Sequence, residues 1–166
     1  MSTARDRSGM SHTAAIALGS NLTSRFGDPA ATIGEAIVRI GVLGQVRAVS
    51  SLYQTAPVGF IDQPDFLNAA LLLETTLAPL DLMRALLAIE QAMGRNRTHA
   101  PAKGPRIIDL DLLLVDDLVV ATPELSLPHP AMTERRFVLE PLAEIAPGML
   151  HPMARCTIAE LLARMP

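Results

Sequence analysis

Apolar and polar positions along the chain divide it into short segments. Residues 13–18 are apolar and end in Gly19-Ser20-Asn21, which predicts a first strand and a turn. Asp28-Pro29 reads as a helix N-cap with proline at the first helical position. Ile33, Ile37 and Ile40 then recur at helical spacing, and Gly41 and Gly44 mark the stop. Residues 45–53 read as a second strand with Val46, Ala48, Ser50 and Leu52 on one face. Residues 55–65, with Pro57, Gly59 and Pro64, read as a loop, and residues 66–75 as a third strand. Pro79 and Asp81 open a second helix with a stripe of Leu82, Leu86, Ile89 and Met93, ending at Gly94. A polar, basic loop over 95–106 leads into an apolar run, 105–115, read as a buried strand.

The order strand, helix, strand, strand, helix, strand predicts an α+β fold, a ferredoxin-like βαββαβ sandwich with C-terminal additions. Those additions are a short strand at 118–121, a loop over 123–130, a helix over 133–145 and an amphipathic helix over 157–164. At 166 residues with 49% apolar content, one domain with a real core is expected over 13–166. Residues 1–12 read as a frayed polar tail without the apolar stretch of a secretory signal. No apolar run reaches membrane-spanning length. A net charge of -3, no Trp and one Tyr argue against nucleic acid as a partner. The single cysteine, Cys156, excludes an internal disulfide framework and a multi-cysteine zinc site, and fits a reducing cytoplasm.

The candidate chemistry lies in and before the last of these core strands. Asp109 and Asp111 are two residues apart, so on a strand they share a face, roughly 6–7 Å apart along the backbone. Two like charges on an apolar strand repel, and burial raises the cost of each. One or two Mg²⁺ ions would remove the conflict, because hard cations take carboxylate oxygens and share them with substrate phosphates. A bare Asp-x-Asp also fits an edge strand whose polar face is simply wet. Arg95, Arg97, His99, Lys103 and Arg106 crowd the loop that leads into the pair. A charge run is ordinarily a solvated face, but guanidinium groups match phosphate oxygens bidentately. With little apolar surface, this loop is expected to be mobile without ligand and to close over phosphates. Glu90 sits near the apolar side of the second helix, either as a snorkelling carboxylate or turned towards a ligand. His129, between two prolines, fits a structural loop residue. Arg135 and Arg136 add a second basic cluster. Neither the Walker A pattern nor Gly-x-Gly-x-x-Gly occurs.

Several stretches occur in a specific order. Ala17-Leu18-Gly19-Ser20-Asn21-Leu22 comes first, then Asp62-Gln63-Pro64-Asp65-Phe66-Leu67-Asn68-Ala69-Ala70. Gly104-Pro105-Arg106-Ile107-Ile108-Asp109-Leu110-Asp111, Leu127-Pro128-His129-Pro130 and Arg135-Arg136-Phe137 follow. Together they resemble the 6-hydroxymethyl-7,8-dihydropterin pyrophosphokinases of folate biosynthesis, over roughly residues 14–152. The resemblance implies transfer of the β,γ-diphosphate of ATP to the hydroxymethyl group of a reduced pterin, leaving AMP. It implies that Asp109 and Asp111 hold two Mg²⁺ ions and that Arg95, Arg97 and Arg106 hold or cover the triphosphate. It adds Glu90, Ser126, His129 and Arg135 to the ATP site. Thr55, Ala56, Val58, Phe66, Asn68 and Phe137 would form the pterin site, with Thr55 and Asn68 on the ring edge and Phe137 stacked on its face. A monomer is expected. Ala56 stands where the family pattern has Pro, Lys103 where it often has Trp, and Glu124 where it often has Arg. Two other classes share parts of the pattern: a two-metal nucleotidyltransferase or nuclease, and a non-catalytic ferredoxin-like binding module.

Overall fold

A computed structural model describes residues 10–58, 62–95 and 105–166. Its centre is an antiparallel sheet with strand order β2-β4-β1-β5, and β3 added beside β4. The strands are β1 (His12–Ser20), β2 (Gln45–Val49), β3 (Tyr53–Thr55), β4 (Phe66–Thr75) and β5 (Asp109–Val115). β1 pairs along its whole length with β4, from His12 opposite Thr75 to Ser20 opposite Leu67. Its alternation sends Ala14, Ile16 and Leu18 to one face and Ala15 and Ala17 to the other.

Helices cover both faces. Helices α1 (Pro29–Ile40) and α2 (Pro79–Ala92) pack on the first face, where Ile33, Ile40, Leu82 and Leu86 are buried with Ile16 and Leu71. The Asp28 side chain caps α1 by accepting from the Ala31 amide. On the second face, α3 (Arg136–Ile145) and α4 (Ile158–Ala163) bury Leu139, Leu142 and Ile158 against Ala15, Ala70 and Leu113. A capping box of Thr157 and Glu160 starts α4. β5 carries one extra residue against β1: Ala15 faces Leu114 while Ile16 faces Leu112. This bulge turns Leu113 and Leu114 to the same face and re-aims the end of the strand. No helix among the described residues is long and apolar enough to cross a membrane.

Several expected boundaries are corrected. The strand expected over 45–53 breaks after Val49, and β3 resumes at Tyr53, so Thr55 lies in a strand and not a loop. Ser50 makes the break: its buried hydroxyl accepts from the Ala70 amide and donates to the Ser51 carbonyl. The strand expected from residue 105 begins at Asp109, because the Arg106 backbone bonds to Asn21 instead of a sheet neighbour. The helix expected over 133–145 is a 3₁₀ turn, Met132–Glu134, followed by α3. The expected 123–130 loop includes β7 (Ser126–Leu127), paired with β6 (Val120–Ala121). A small pair, β8 (Leu150–His151) with β9 (Cys156–Thr157), had no expectation. On α2 the buried stripe runs through Leu82, Leu86 and Glu90 to Met93 just beyond the helix end, with Ile89 only half-buried.

Candidate active site

Cross-strand register builds the site. Tyr53 lies opposite Asn68, Asn68 opposite Gly19, and Gly19 opposite Asp109. Directly opposed residues share a face, so this is one row across four strands. A second row sets Ala70 opposite Ala17 and Ala17 opposite Asp111, and Thr55 faces Phe66. The middle positions, Gly19 and Ala17, are small. They leave a low floor between the amide of Asn68 and the two carboxylates. A Cβ on Gly19 would stand 3.0 Å from Asn68 Oδ1, so glycine is what lets that amide lie over β1.

Above this floor is a cavity of about 630 Å³, within the usual range for a small-molecule site. Thr55, Ala56, Val58, Phe66 and Asn68 line it from the sheet and the chain after β3. Arg106, Asp109 and Asp111 line it at β5, and Arg135 and Phe137 from the start of α3. Thus the whole expected pterin set meets the expected metal carboxylates in one space. Asn68 Nδ2 donates to Thr55 Oγ1 at 2.5 Å, which fixes which way the amide points. The Arg135 guanidinium stands 5.6 Å from the centre of the Phe137 ring. Tyr53, Gly19 and Ala17 also line the cavity and were not expected there. The period-two alternation Tyr53, Thr55 was the available signal, hidden by reading residues 45–53 as one strand.

The carboxylates differ in surroundings. Asp109 is held by two cations: Arg95 Nη1 at 2.6 Å from Oδ1 and Arg106 Nη1 at 2.9 Å from Oδ2. Burial pushes the Asp111 carboxyl up to about 7, and the charges of Asp109 and Glu90 add to the rise against Arg135 and Arg95. Such an acid is one that a bound cation would ionise. Among the described residues no cluster of three or more His, Cys, Asp or Glu side chains is placed to hold a metal. Two carboxylates on one face of β5 are hard oxygen donors, chemistry that would suit Mg²⁺ completing its shell with phosphate and water and would suit zinc poorly.

Glu90 is 1% exposed and does not line the cavity. Its Oε2 accepts from the Leu110 amide at 2.6 Å and from Arg95 Nη1 at 2.8 Å. β5 is an edge strand, so the carboxylate satisfies an outward amide and holds Arg95 against Asp109. The snorkelling reading is thereby excluded. His129 covers the same edge through its amide, which donates to the Leu113 carbonyl at 2.8 Å. Its Nδ1 accepts from the Ala131 amide, leaving Nε2 to carry the proton. Burial, then the Arg135 charge, lower its pKa, against a smaller opposing effect of the Asp109 charge. Ser126 is exposed in β7 and does not line the cavity. Arg97, with His99 and Lys103, lies outside the described residues, as does the expected closing movement of that loop.

Comparison with known proteins assigns the family. Residues 15–147 match the family described as 7,8-dihydro-6-hydroxymethylpterin-pyrophosphokinase (HPPK). The 2-amino-4-hydroxy-6-hydroxymethyldihydropteridine pyrophosphokinase of Pseudomonas aeruginosa is 44% identical over 153 residues, covering 91% of this chain and 90% of that protein. The folic acid synthesis protein fol1 of Schizosaccharomyces pombe is 40% identical over 145 residues, covering 86% of this chain but 20% of that protein. The chain thus spans only a fifth of that longer relative. Among solved structures, wild-type Plasmodium falciparum HPPK-DHPS superposes with a TM-score of 0.72 at 17% identity, covering 93% of this chain and 45% of that one. That likeness speaks for the fold. The family match over most of the chain, with the Pseudomonas relative matched nearly end to end, shows that this chain belongs to the 6-hydroxymethyl-7,8-dihydropterin pyrophosphokinase family of folate biosynthesis.

Proposed function

We propose that this chain transfers the β,γ-diphosphate of ATP to the hydroxymethyl oxygen of 6-hydroxymethyl-7,8-dihydropterin, releasing AMP. One observation carries the reading. The row Asn68–Gly19–Asp109 sets a fixed amide, suited to a heterocycle edge, beside a carboxylate pair suited to phosphate-bound cations, inside one cavity. Asn68 and Thr55 hydrogen-bond the pterin edge. Phe66 and Phe137 supply aromatic surface, with Ala56 and Val58 closing the rim. This holds the hydroxymethyl group at the β5 end of the cavity, and positioning is most of what phosphoryl transfer asks of a protein.

Asp109 and Asp111 would hold two Mg²⁺ ions, which when bound would neutralise charge on the phosphates. Arg106 lines the cavity at Asp109 and would meet the triphosphate there, whereas Arg95, bonded to Asp109 and Glu90, does not line the cavity and has weaker support as a phosphate ligand. Arg135 lies on the cavity wall beside Phe137 and reaches the same anion. His129 does not line the cavity but keeps Nε2 as a donor that would serve the phosphates, and Glu90 keeps Arg95 in place. Ser126 has weaker support, since β7 holds it away from the cavity.

The strand order supports reading the core as ferredoxin-like, with α3 and α4 as the C-terminal additions. A cytoplasmic enzyme fits the single buried cysteine, and a monomer is proposed. Neither the nucleotidyltransferase nor the binding-module alternative has support from the comparisons. Incubation with ATP, Mg²⁺ and reduced hydroxymethylpterin should yield AMP in proportion to pterin diphosphate. AMP formed equally without the pterin would overturn the reading.

A further inference from the structure

Asn21 follows β1 and is 3% exposed. It does not line the cavity, yet its side chain makes three hydrogen bonds to two distant segments. Nδ2 donates to Gln63 Oε1 at 2.9 Å and to the Pro64 carbonyl at 3.0 Å. Oδ1 accepts from the Arg106 amide at 2.8 Å, and the Asn21 amide donates to the Arg106 carbonyl at 3.1 Å. The orientation of the side chain is therefore determined. Flipped, it would set an oxygen against the Pro64 carbonyl and an NH₂ against the Arg106 amide, two backbone groups that cannot exchange roles.

The two segments lead to opposite halves of the cavity. Gln63 and Pro64 lead directly into β4, where Phe66 and Asn68 line the pterin side. Arg106 lies three residues before Asp109, and its guanidinium holds that carboxylate. We infer that Asn21 is the positioning residue that couples the pterin half of the site to the phosphate half. The juxtaposition that assigns this role is one buried amide bonded at once to the chain entering β4 and to the backbone of Arg106. A ligand that fixes either segment favours the orientation of Asn21 that the other segment needs. Binding of one substrate then strengthens binding of the other, and the effect is reciprocal.

This rests on the pyrophosphokinase reading, so the test separates the two. The pterin dissociation constant is measured by calorimetry with and without Mg²⁺ and an ATP analogue carrying a methylene between the α and β phosphates. Wild type, Asn21→Asp and Asn21→Ala are compared, with thermal melts on the same samples. Asn21→Asp keeps an acceptor for the Arg106 amide but sets an oxygen against the Pro64 carbonyl. It breaks one arm of the tie selectively. Wild type should bind pterin about tenfold or more tightly with the nucleotide analogue present, and Asn21→Asp should reduce that gain to about twofold. The affinity for nucleotide alone should change little. A packing role alone would lower melting temperature and both affinities while leaving the gain intact, and that result overturns the inference. So does a wild-type protein that binds both ligands with no gain. If Asn21→Asp fails to fold, Gln63→Leu removes one of the two bonds on that arm from a half-buried position, and the gain should fall partway. An unchanged gain there overturns the inference equally. Wild-type protein binding neither ligand would instead overturn the pyrophosphokinase reading.

Discussion

At the scale of single residues, Asp109 and Asp111 carry the sharpest expectation. Each should become nearly inactive as Asn while keeping its fold, with turnover falling on the order of a hundredfold or more. Steady-state AMP production with circular dichroism on the same protein checks this. The raised Asp111 carboxyl adds a pH dependence. In metal-free protein it binds its proton more tightly folded than unfolded, so it favours folding at low pH. That contribution is lost as pH rises from 3.8 towards about 7. Bound Mg²⁺ favours the ionised form. The rise in melting temperature on adding Mg²⁺ should therefore be larger at pH 8 than at pH 6. A rise independent of pH would show that Asp111 is not a ligand. The pair itself was legible in the sequence, because strand periodicity alone puts i and i+2 on one face. From periodicity Glu90 was legible only as a charge near the apolar stripe, and the family resemblance alone set it at the ATP site. Its burial depends on the outward amide of Leu110, a consequence of β5 ending the sheet, and helix periodicity carries no trace of that.

At the scale of elements, β4 and α1 kept their expected bounds because their signals were local: a long apolar run, and Asp28-Pro29 as cap and first residue. Boundaries failed where long-range bonds decided them. The expected strand at 105–115 lost its first four residues to Asn21, and the strand at 45–53 was interrupted at Ser50. β1 shows how an element shapes the site through what it lacks. Its Gly19 reads in sequence as part of a turn, but it lies in the strand between Asn68 and Asp109. Gly19→Ala should leave the sheet intact, since β1 is extended there. The added methyl, 3.0 Å from Asn68 Oδ1, should displace the amide. Pterin affinity is expected to fall on the order of tenfold, with nucleotide affinity nearly unchanged. Calorimetry with each ligand separately checks the split, and equal losses would place the effect in β1 itself.

At the scale of the whole molecule, the site lies between the sheet and its C-terminal layer, so its shape depends on how α3 is fastened to β3. A helix over 133–145 was legible, but the face of the sheet it would cover was not. That depends on pairings between residues far apart in the chain. The fastening is Glu144, which accepts from the Tyr53 hydroxyl at 2.6 Å and from the Ser51 amide at 3.0 Å. The hydrogen bond and the carboxylate charge push the Tyr53 phenol up to about 12 from 10.0. The folded state thus holds the neutral phenol more firmly than the unfolded chain does. The resulting stability is complete below pH 10 and is lost as pH rises towards 12. Tyr53 is the only Tyr and the chain has no Trp, so tyrosinate absorbance reports this one group. In Glu144→Ala the absorbance midpoint should move down towards 10, and the fall in stability between pH 10 and 12 should flatten. Because Tyr53 also lines the cavity, loosening it should raise KM for pterin severalfold and leave KM for ATP nearly unchanged. A lowered tyrosinate midpoint with both KM values intact would show that α3 is fastened here only for stability and that the pterin wall is held elsewhere.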